Sequence, residues 1–214
     1  MSAWKPSASI ERLRERAKCI ALIRAFFCER GYLEVETPIM GRYGVTDRYI
    51  QNIFSTFRGQ PYALQTSPEY HMKRLLAAGS GPIFQVARVF RDDELGRWHN
   101  PEFTLLEWYQ LGVDHLILLQ EVDTLLQRVL HCNPLIIKTY QNAFIEACQV
   151  DPLVADIPTL KAVLARFDLD HVLPADESCR DQYLYLLMSH VVEPSFSGSS
   201  VPVAVIDFPA SQAS

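Results

Sequence analysis

Ile83-Phe84-Gln85-Val86-Ala87-Arg88-Val89-Phe90-Arg91 and Phe103-Thr104-Leu105-Leu106-Glu107-Trp108-Tyr109-Gln110-Leu111 are two runs whose side chains alternate between the faces of an extended chain. In the first, Phe84, Val86, Arg88 and Phe90 stand against Gln85, Ala87, Val89 and Arg91. In the second, Phe103, Leu105, Glu107 and Tyr109 oppose Thr104, Leu106 and Trp108. The pattern predicts a long antiparallel hairpin. Its connection, the charged segment Asp92 to Glu102, exceeds what a turn needs, and long loops on a rigid sheet often carry function.

Upstream, Ile10, Leu13, Ala17, Ile20 and Phe27 recur at helical spacing over Ser9 to Arg30. Ser9 is placed to cap that helix, Gly31 to end it, and Arg12, Arg16 and Lys18 to form a basic outer face. Tyr32 to Pro38 alternates as a strand that the proline ends, with Leu33, Val35 and Thr37 on one side and Glu34 and Glu36 on the other. Residues 41 to 61 read as loops with one or two short strands. Tyr62 to Thr66 is a strand running through Ser67-Pro68-Glu69 into a helix, Tyr70 to Ala78. Downstream, helices are expected at 116–130, 140–148, 157–166 and 181–191, strands at 135–139 and 201–208, and a polar loop at 193–200. Antiparallel strands separated by irregular helices define an α+β layer fold.

The 214 residues are 49% hydrophobic and 21% charged, which excludes intrinsic disorder and suits one large domain or one and a half. No apolar run reaches membrane-spanning length, and the five scattered cysteines have no zinc spacing, so a reducing, cytoplasmic setting with thiols as core filler is expected. A net charge of −5 argues against a broad nucleic-acid surface. Only Gly198 lies beyond Gly112, and Gly79-Ser80-Gly81 continues into Phe84, so neither glycine-rich phosphate loop is present. His71, His99 and His115 lack the spacing of a metal site. A nucleotide would have to be held by side chains on strands.

The loop and its flanks supply such side chains. Arg91 at a strand end can fork onto a phosphate, a neighbouring carboxylate can accept from an adenine amino group, and Phe103 can stack on the ring. Taken singly, Arg91-Asp92-Asp93 also fits a solvated turn, Phe103 a core ring, and Glu69 a helix N-terminal carboxylate.

In order, Phe90-Arg91-x-x-Glu94, His99-Asn100-Pro101-Glu102-Phe103-Thr104 and Glu107-Trp108-Tyr109, preceded by Thr66-Ser67-Pro68-Glu69-Tyr70-His71-Met72-Lys73-Arg74-Leu75-Leu76, closely resemble the catalytic domain of class II lysyl-tRNA synthetases. Gly31 to Pro38 is similar to the first signature of that class, a helix-strand-proline unit that builds its dimer interface. The resemblance runs from about Ser9 to Tyr109 and more loosely to the end. It is nearest to a short branch of the family that lacks the anticodon-binding OB domain, because the chain starts almost at the first helix. The wording of Ser67 to Leu75 and of Phe208 to Ser214 also resembles that branch.

The resemblance implies a class II antiparallel sheet flanked by helices over residues 1–214. It also implies ATP-dependent activation of a lysine-type amino acid, lysine or (R)-β-lysine, and transfer to a lysine side chain of elongation factor P, by a cytoplasmic homodimer that uses neither tRNA nor a membrane. Arg91 then holds the α-phosphate and stabilises charge growing there. Asp92, Asp93, Glu94, His99, Asn100 and Phe103 complete the ATP site, and Ser67, Pro68, Glu69 and Tyr109 form the amino-acid pocket. The family carries Arg-Asn-Glu where this chain has Arg91-Asp92-Asp93, which shortens the adenine-facing carboxylate by one methylene or hands its role to Glu94. The class's third signature and the Mg²⁺ ligands are expected beyond Ser214, so the domain reads as C-terminally truncated, with no metal ligand of its own and inactive alone. The rival readings are a non-catalytic paralogue acting as a binding module and a lysine-tRNA ligase. The missing anticodon domain and the acidic charge weigh against the latter.

Overall fold

The computed structural model describes residues 4–47, 49–92, 96 and 99–212. They form two compact units, Met1–Glu121 and Val122–Ser214.

In the first unit the elements are α1 (Ile10–Glu29), β1 (Leu33–Glu34), β2 (Met40–Gly41), β3 (Phe54–Phe57), β4 (Gln60–Leu64), α2 (Glu69–Ala77), β5 (Ile83–Phe90) and β6 (Glu102–Tyr109). Ser9 caps α1 through its Oγ, which accepts from the Arg12 amide at 3.2 Å. At the other end Gly31 takes φ +79°, the Gly31 amide bonds to the Cys28 carbonyl and the Tyr32 amide to the Phe27 carbonyl, both at 3.1 Å. This is the left-handed helix stop that glycine favours, and its usual apolar clasp is present, with the Phe27 and Tyr32 rings 5.2 Å apart.

The predicted hairpin is observed, paired from Ile83↔Tyr109 to Phe90↔Glu102. Its two faces differ in what covers them. On one, Phe84 stacks on Phe27 at 4.8 Å, Trp108 lies 5.3 Å from the same ring, and Arg16 of α1 donates to Thr104 at 2.6 Å. On the other lie Gln85, Ala87, Val89, Phe103, Glu107 and Tyr109, the face that carries the candidate site. The free edge of β5 is shared. The Val35 amide donates to the Phe84 carbonyl near one end, and the Phe90 amide donates to the Gln65 carbonyl at the other.

Several expectations are corrected. The sheet is not wholly antiparallel: in the order β1-β5-β6, β1 runs parallel to β5. The strand expected over residues 32–38 is reduced to Leu33–Glu34, and Leu33 is exposed. Ile10 and Leu13, expected on the inner stripe of α1, are also exposed, because only the C-terminal part of the helix, with Phe26 and Phe27, lies fully buried. A second sheet, β2-β4-β3, closes through the two-residue turn Arg58-Gly59, whose φ values of 50° and 74° match the twist of a tight hairpin.

Helix α3 (His115–Leu130) is capped by Asp114 and spans the division between the units. The second unit continues with β7 (Ile136–Thr139), α4 (Tyr140–Cys148), α5 (Ile157–Arg166), α6 (Arg180–Leu187) and β8 (Val203–Ile206). Its core is Tyr140, Phe144, Leu160, Leu164, Tyr183, Leu184 and Leu187. Thr139 and Asp156 cap α4 and α5 by accepting from the Asn142 and Thr159 amides. β7 and β8 pair in parallel, as strands joined by a helical crossover do. Residues 188–192 form a π-helical turn and Glu193–Ser195 a short helix inside the expected polar loop. Of the cysteines only Cys148 is buried, while Cys28 and Cys179 are exposed, so core filling describes one and not five. No described helix is long and apolar enough to cross a membrane.

Candidate active site

The end of β4 delivers Thr66 and Ser67 beneath the hairpin, and Pro68 opens α2, so that Glu69 sits in the helix's first turn. Ser67 is doubly committed. Its Oγ accepts from the Glu69 amide at 3.1 Å and donates to Glu107 Oε2 at 2.6 Å. From the next position along the same strand face, the Tyr109 hydroxyl donates to Glu107 Oε1, also at 2.6 Å. Both oxygens of Glu107 are therefore held by short hydroxyl donors, the geometry expected of charge-assisted bonds. Burial pushes the Tyr109 phenol well above its ordinary value, and the bond to Glu107 and the negative charge of Glu107 and Glu69 push it further, so it stays a donor.

Glu69 accepts from Lys73 of the next helical turn at 2.5 Å. That pairing, reinforced by the charge of Glu107, raises the Lys73 ammonium above its ordinary value. The two carboxylates thus create a field that favours an ammonium. Ser67, Glu69, Gln65, Thr66, Tyr70 and the loop residues Gly41, Tyr43, Gly44 and Val45 line an open cleft.

At the other end of the same face, Arg91 follows β5. Its Nε donates to the Thr66 carbonyl at 3.4 Å, and its guanidinium lies 5.1 Å from the Phe103 ring centroid. Four residue steps along β6 separate Phe103 from Glu107, about 13 Å at the rise of an extended strand. The expected Arg91–Phe103 and Ser67–Glu69–Tyr109 groups are therefore brought to one surface. Asp92 lies in a turn, its amide bonded to the Gln51 carbonyl. The backbones of His99 and Gly96 bond to each other, His99 is exposed, as is Asn100, and neither side chain hydrogen-bonds to another described site residue. Asp93 and Glu94 lie outside the described residues. Among the described residues the group able to hold a metal ion is Asp168, Asp170 and His171, exposed in the second unit and not part of this site.

Glu107 was not assigned a role from sequence, although the signal was there: it is the one carboxylate on the strand face it shares with Phe103, Leu105 and Tyr109. Gln85 was also missed. It is buried opposite Glu107 in register, and its Oε1 accepts from the Thr37 hydroxyl at 3.1 Å.

Residues 3–213 match the family described as tRNA synthetases class II (D, K and N), and the chain belongs to that family. Among its curated relatives, a protein of Vibrio vulnificus (strain YJ016) is 51% identical over 216 residues, covering 98% of this chain and 66% of its own length. One from Pasteurella multocida (strain Pm70) is 50% identical over the same shares, and one from Edwardsiella ictaluri (strain 93-146) is 50% identical over all of this chain and 67% of its own. Each is named elongation factor P–(R)-β-lysine ligase. The chain spans about 66% of the length of the first two.

Proposed function

We propose that this chain carries part of the ATP and amino-acid site of a ligase that activates (R)-β-lysine as an aminoacyl-adenylate and transfers it to a lysine side chain of elongation factor P. The observation that carries this reading is Glu107, held between Ser67 and Tyr109 beside Glu69, on the same strand face as the Arg91–Phe103 pair. An ammonium-bearing amino acid is matched to the carboxylates, and a nucleotide to the ring and guanidinium. The separation of about 13 Å along β6 suits a nucleotide and an amino acid lying end to end.

On this reading Arg91 neutralises charge developing on the α-phosphate as the substrate carboxylate attacks it and pyrophosphate leaves. Glu69 and Glu107 orient the substrate, Tyr109 and Ser67 keep Glu107 in place, and Lys73 moves off Glu69 when the substrate ammonium arrives. Ligases of this class generally use ATP with Mg²⁺, which would offset phosphate charge. A homodimer is proposed from the likeness of residues 31–38 to the first signature and from the exposed apolar residues Ile10, Leu13, Leu33, Ile39 and Met40. Action on a translation factor fits a cytoplasmic enzyme.

The test is pyrophosphate exchange by the protein from the complete reading frame with (R)-β-lysine and with α-lysine, followed by mass analysis of elongation factor P and of tRNA as acceptors. Exchange with β-lysine and an elongation factor P adduct is expected. Absence of exchange with both amino acids refutes the enzyme reading, and charging of tRNA alone refutes the acceptor.

A further inference from the structure

Beyond Gly41, which pairs with Ala63, residues 42–47 belong to no strand among the described residues. Yet Gly41, Tyr43, Gly44 and Val45 form part of the cleft lining beside Ser67 and Glu69. Asn52 supplies the missing support. Its Oδ1 accepts from the Val45 amide at 3.1 Å, and its Nδ2 donates to the Val45 carbonyl at 3.0 Å. One carboxamide thus satisfies both backbone groups of one residue, as a neighbouring strand would.

Gly44 leaves the space this clamp needs. A Cβ there would lie 2.5–2.8 Å from the carboxamide atoms of Asn52, closer than any van der Waals contact allows. Gly44 is not among the glycines with positive φ, so what matters at this position is volume and not backbone conformation. A second tie runs from the same loop to α2, where the Thr46 and Tyr70 hydroxyls are 3.1 Å apart. Tyr70 itself lines the cleft, whereas Asn52 does not.

We propose that Asn52 is a positioning residue for the amino-acid pocket. Acting through Val45, with Gly44 as the required gap, it holds the loop wall in the place that defines the pocket beside Ser67 and Glu69. The inference rests on the reading of this cleft as the amino-acid pocket. It assigns substrate affinity to a side chain that does not line the cleft, and it makes residues 44 and 52 a coupled pair.

The experiment uses the protein from the complete reading frame as wild type, Asn52→Ala, Asn52→Asp, Gly44→Ala and the Gly44→Ala/Asn52→Ala double variant. It measures pyrophosphate exchange with β-lysine and α-lysine, and amide hydrogen exchange over residues 42–47. For Asn52→Ala the amino-acid KM is expected to rise about tenfold, the worth of roughly one net hydrogen bond. KM for ATP should stay within about twofold, and exchange of the loop amides should accelerate. Asn52→Asp, which keeps the acceptor for the Val45 amide and loses the donor, should fall between. Gly44→Ala should resemble Asn52→Ala and add little in the double variant, since the atoms it strikes are gone. An active wild type with an unchanged amino-acid KM in Asn52→Ala overturns the inference alone. So does a KM rise without faster loop exchange, or a loss of kcat that follows a fall in Tm. A wild type inactive with both amino acids overturns the pocket reading and the inference with it.

Discussion

Replacing Glu107 by Gln tests the centre of the site with almost no change of volume. In the wild type both carboxylate oxygens accept hydroxyl bonds of 2.6 Å, and the Ser67 proton is committed to Glu107 because Ser67 already accepts from the Glu69 amide. A carboxamide keeps one oxygen, so one hydroxyl can still donate, while the other faces an NH₂ and must turn its proton away. Charge-assisted bonds are worth roughly 1.5 to 3 kcal/mol against about 1 for neutral ones, so the local loss is about 1 to 3 kcal/mol. The substrate ammonium also loses one of its two anionic partners. Together these predict a fall in kcat/KM for the amino acid of about 10- to 100-fold at 1.4 kcal/mol per decade, with KM for ATP little changed. The assay is amino-acid-dependent pyrophosphate exchange, joined to tyrosinate absorbance titration in which Tyr109→Phe identifies the Tyr109 signal. The Tyr109 titration should move down, since the bond and charge of Glu107 help to hold it up. Unchanged kcat/KM, or a Tyr109 titration that stays in place, would refute the assignment.

Other expectations concern the second cluster, the core and pH. Arg91→Ala should raise KM for ATP by about tenfold or more, and Arg91→Lys should not restore it, because an ammonium lacks the planar fork that can lie over Phe103 while bonding phosphate; equal rescue by Lys would count against the contact. Phe27→Ala, which empties the fully buried site between Phe84, Trp108 and Tyr32, should cost about 3 to 5 kcal/mol in denaturant unfolding, and Phe27→Leu clearly less. Stability should decline at alkaline pH. Burial pushes Tyr140 up to about 12 and raises Tyr32 and Tyr109 as well, whereas unfolded tyrosines titrate near 10. Between those values the unfolded chain binds fewer protons than the folded one, so the stabilisation present below about pH 10 is lost as pH rises through the folded values. A urea midpoint at about pH 11 equal to or above that at about pH 9 would contradict this.

The contrast between the two strand faces was legible before any coordinates, because alternation is a local property of an extended chain. Within β5 Phe84 opposes Gln85, Ala87 and Val89, and within β6 Trp108 opposes Phe103, Glu107 and Tyr109, but that Phe84 shares its face with Trp108 was decided by the register, since a one-residue slip would set it beside Glu107. The helix limits at Ser9 and Gly31, and at 140–148 and 157–166, were equally legible, since caps act within a few residues. The boundaries of β1 and β8 were not, because a strand extends only as far as a partner pairs with it. The parallel direction of β1 on β5 and of β7 on β8 has no local signature at all.

The sequence by itself determined the family motifs, the hairpin with its charged loop, and the residue types available for a nucleotide and an ammonium. Tertiary structure alone decided that Glu107 lies between Ser67 and Tyr109, that Arg91 covers Phe103, and that Asn52 clamps Val45. The Ser67–Glu107 bond joins residues 40 positions apart. No periodicity of 2 or 3.6 residues reaches that far, so such a contact exists only once two separately specified elements have packed.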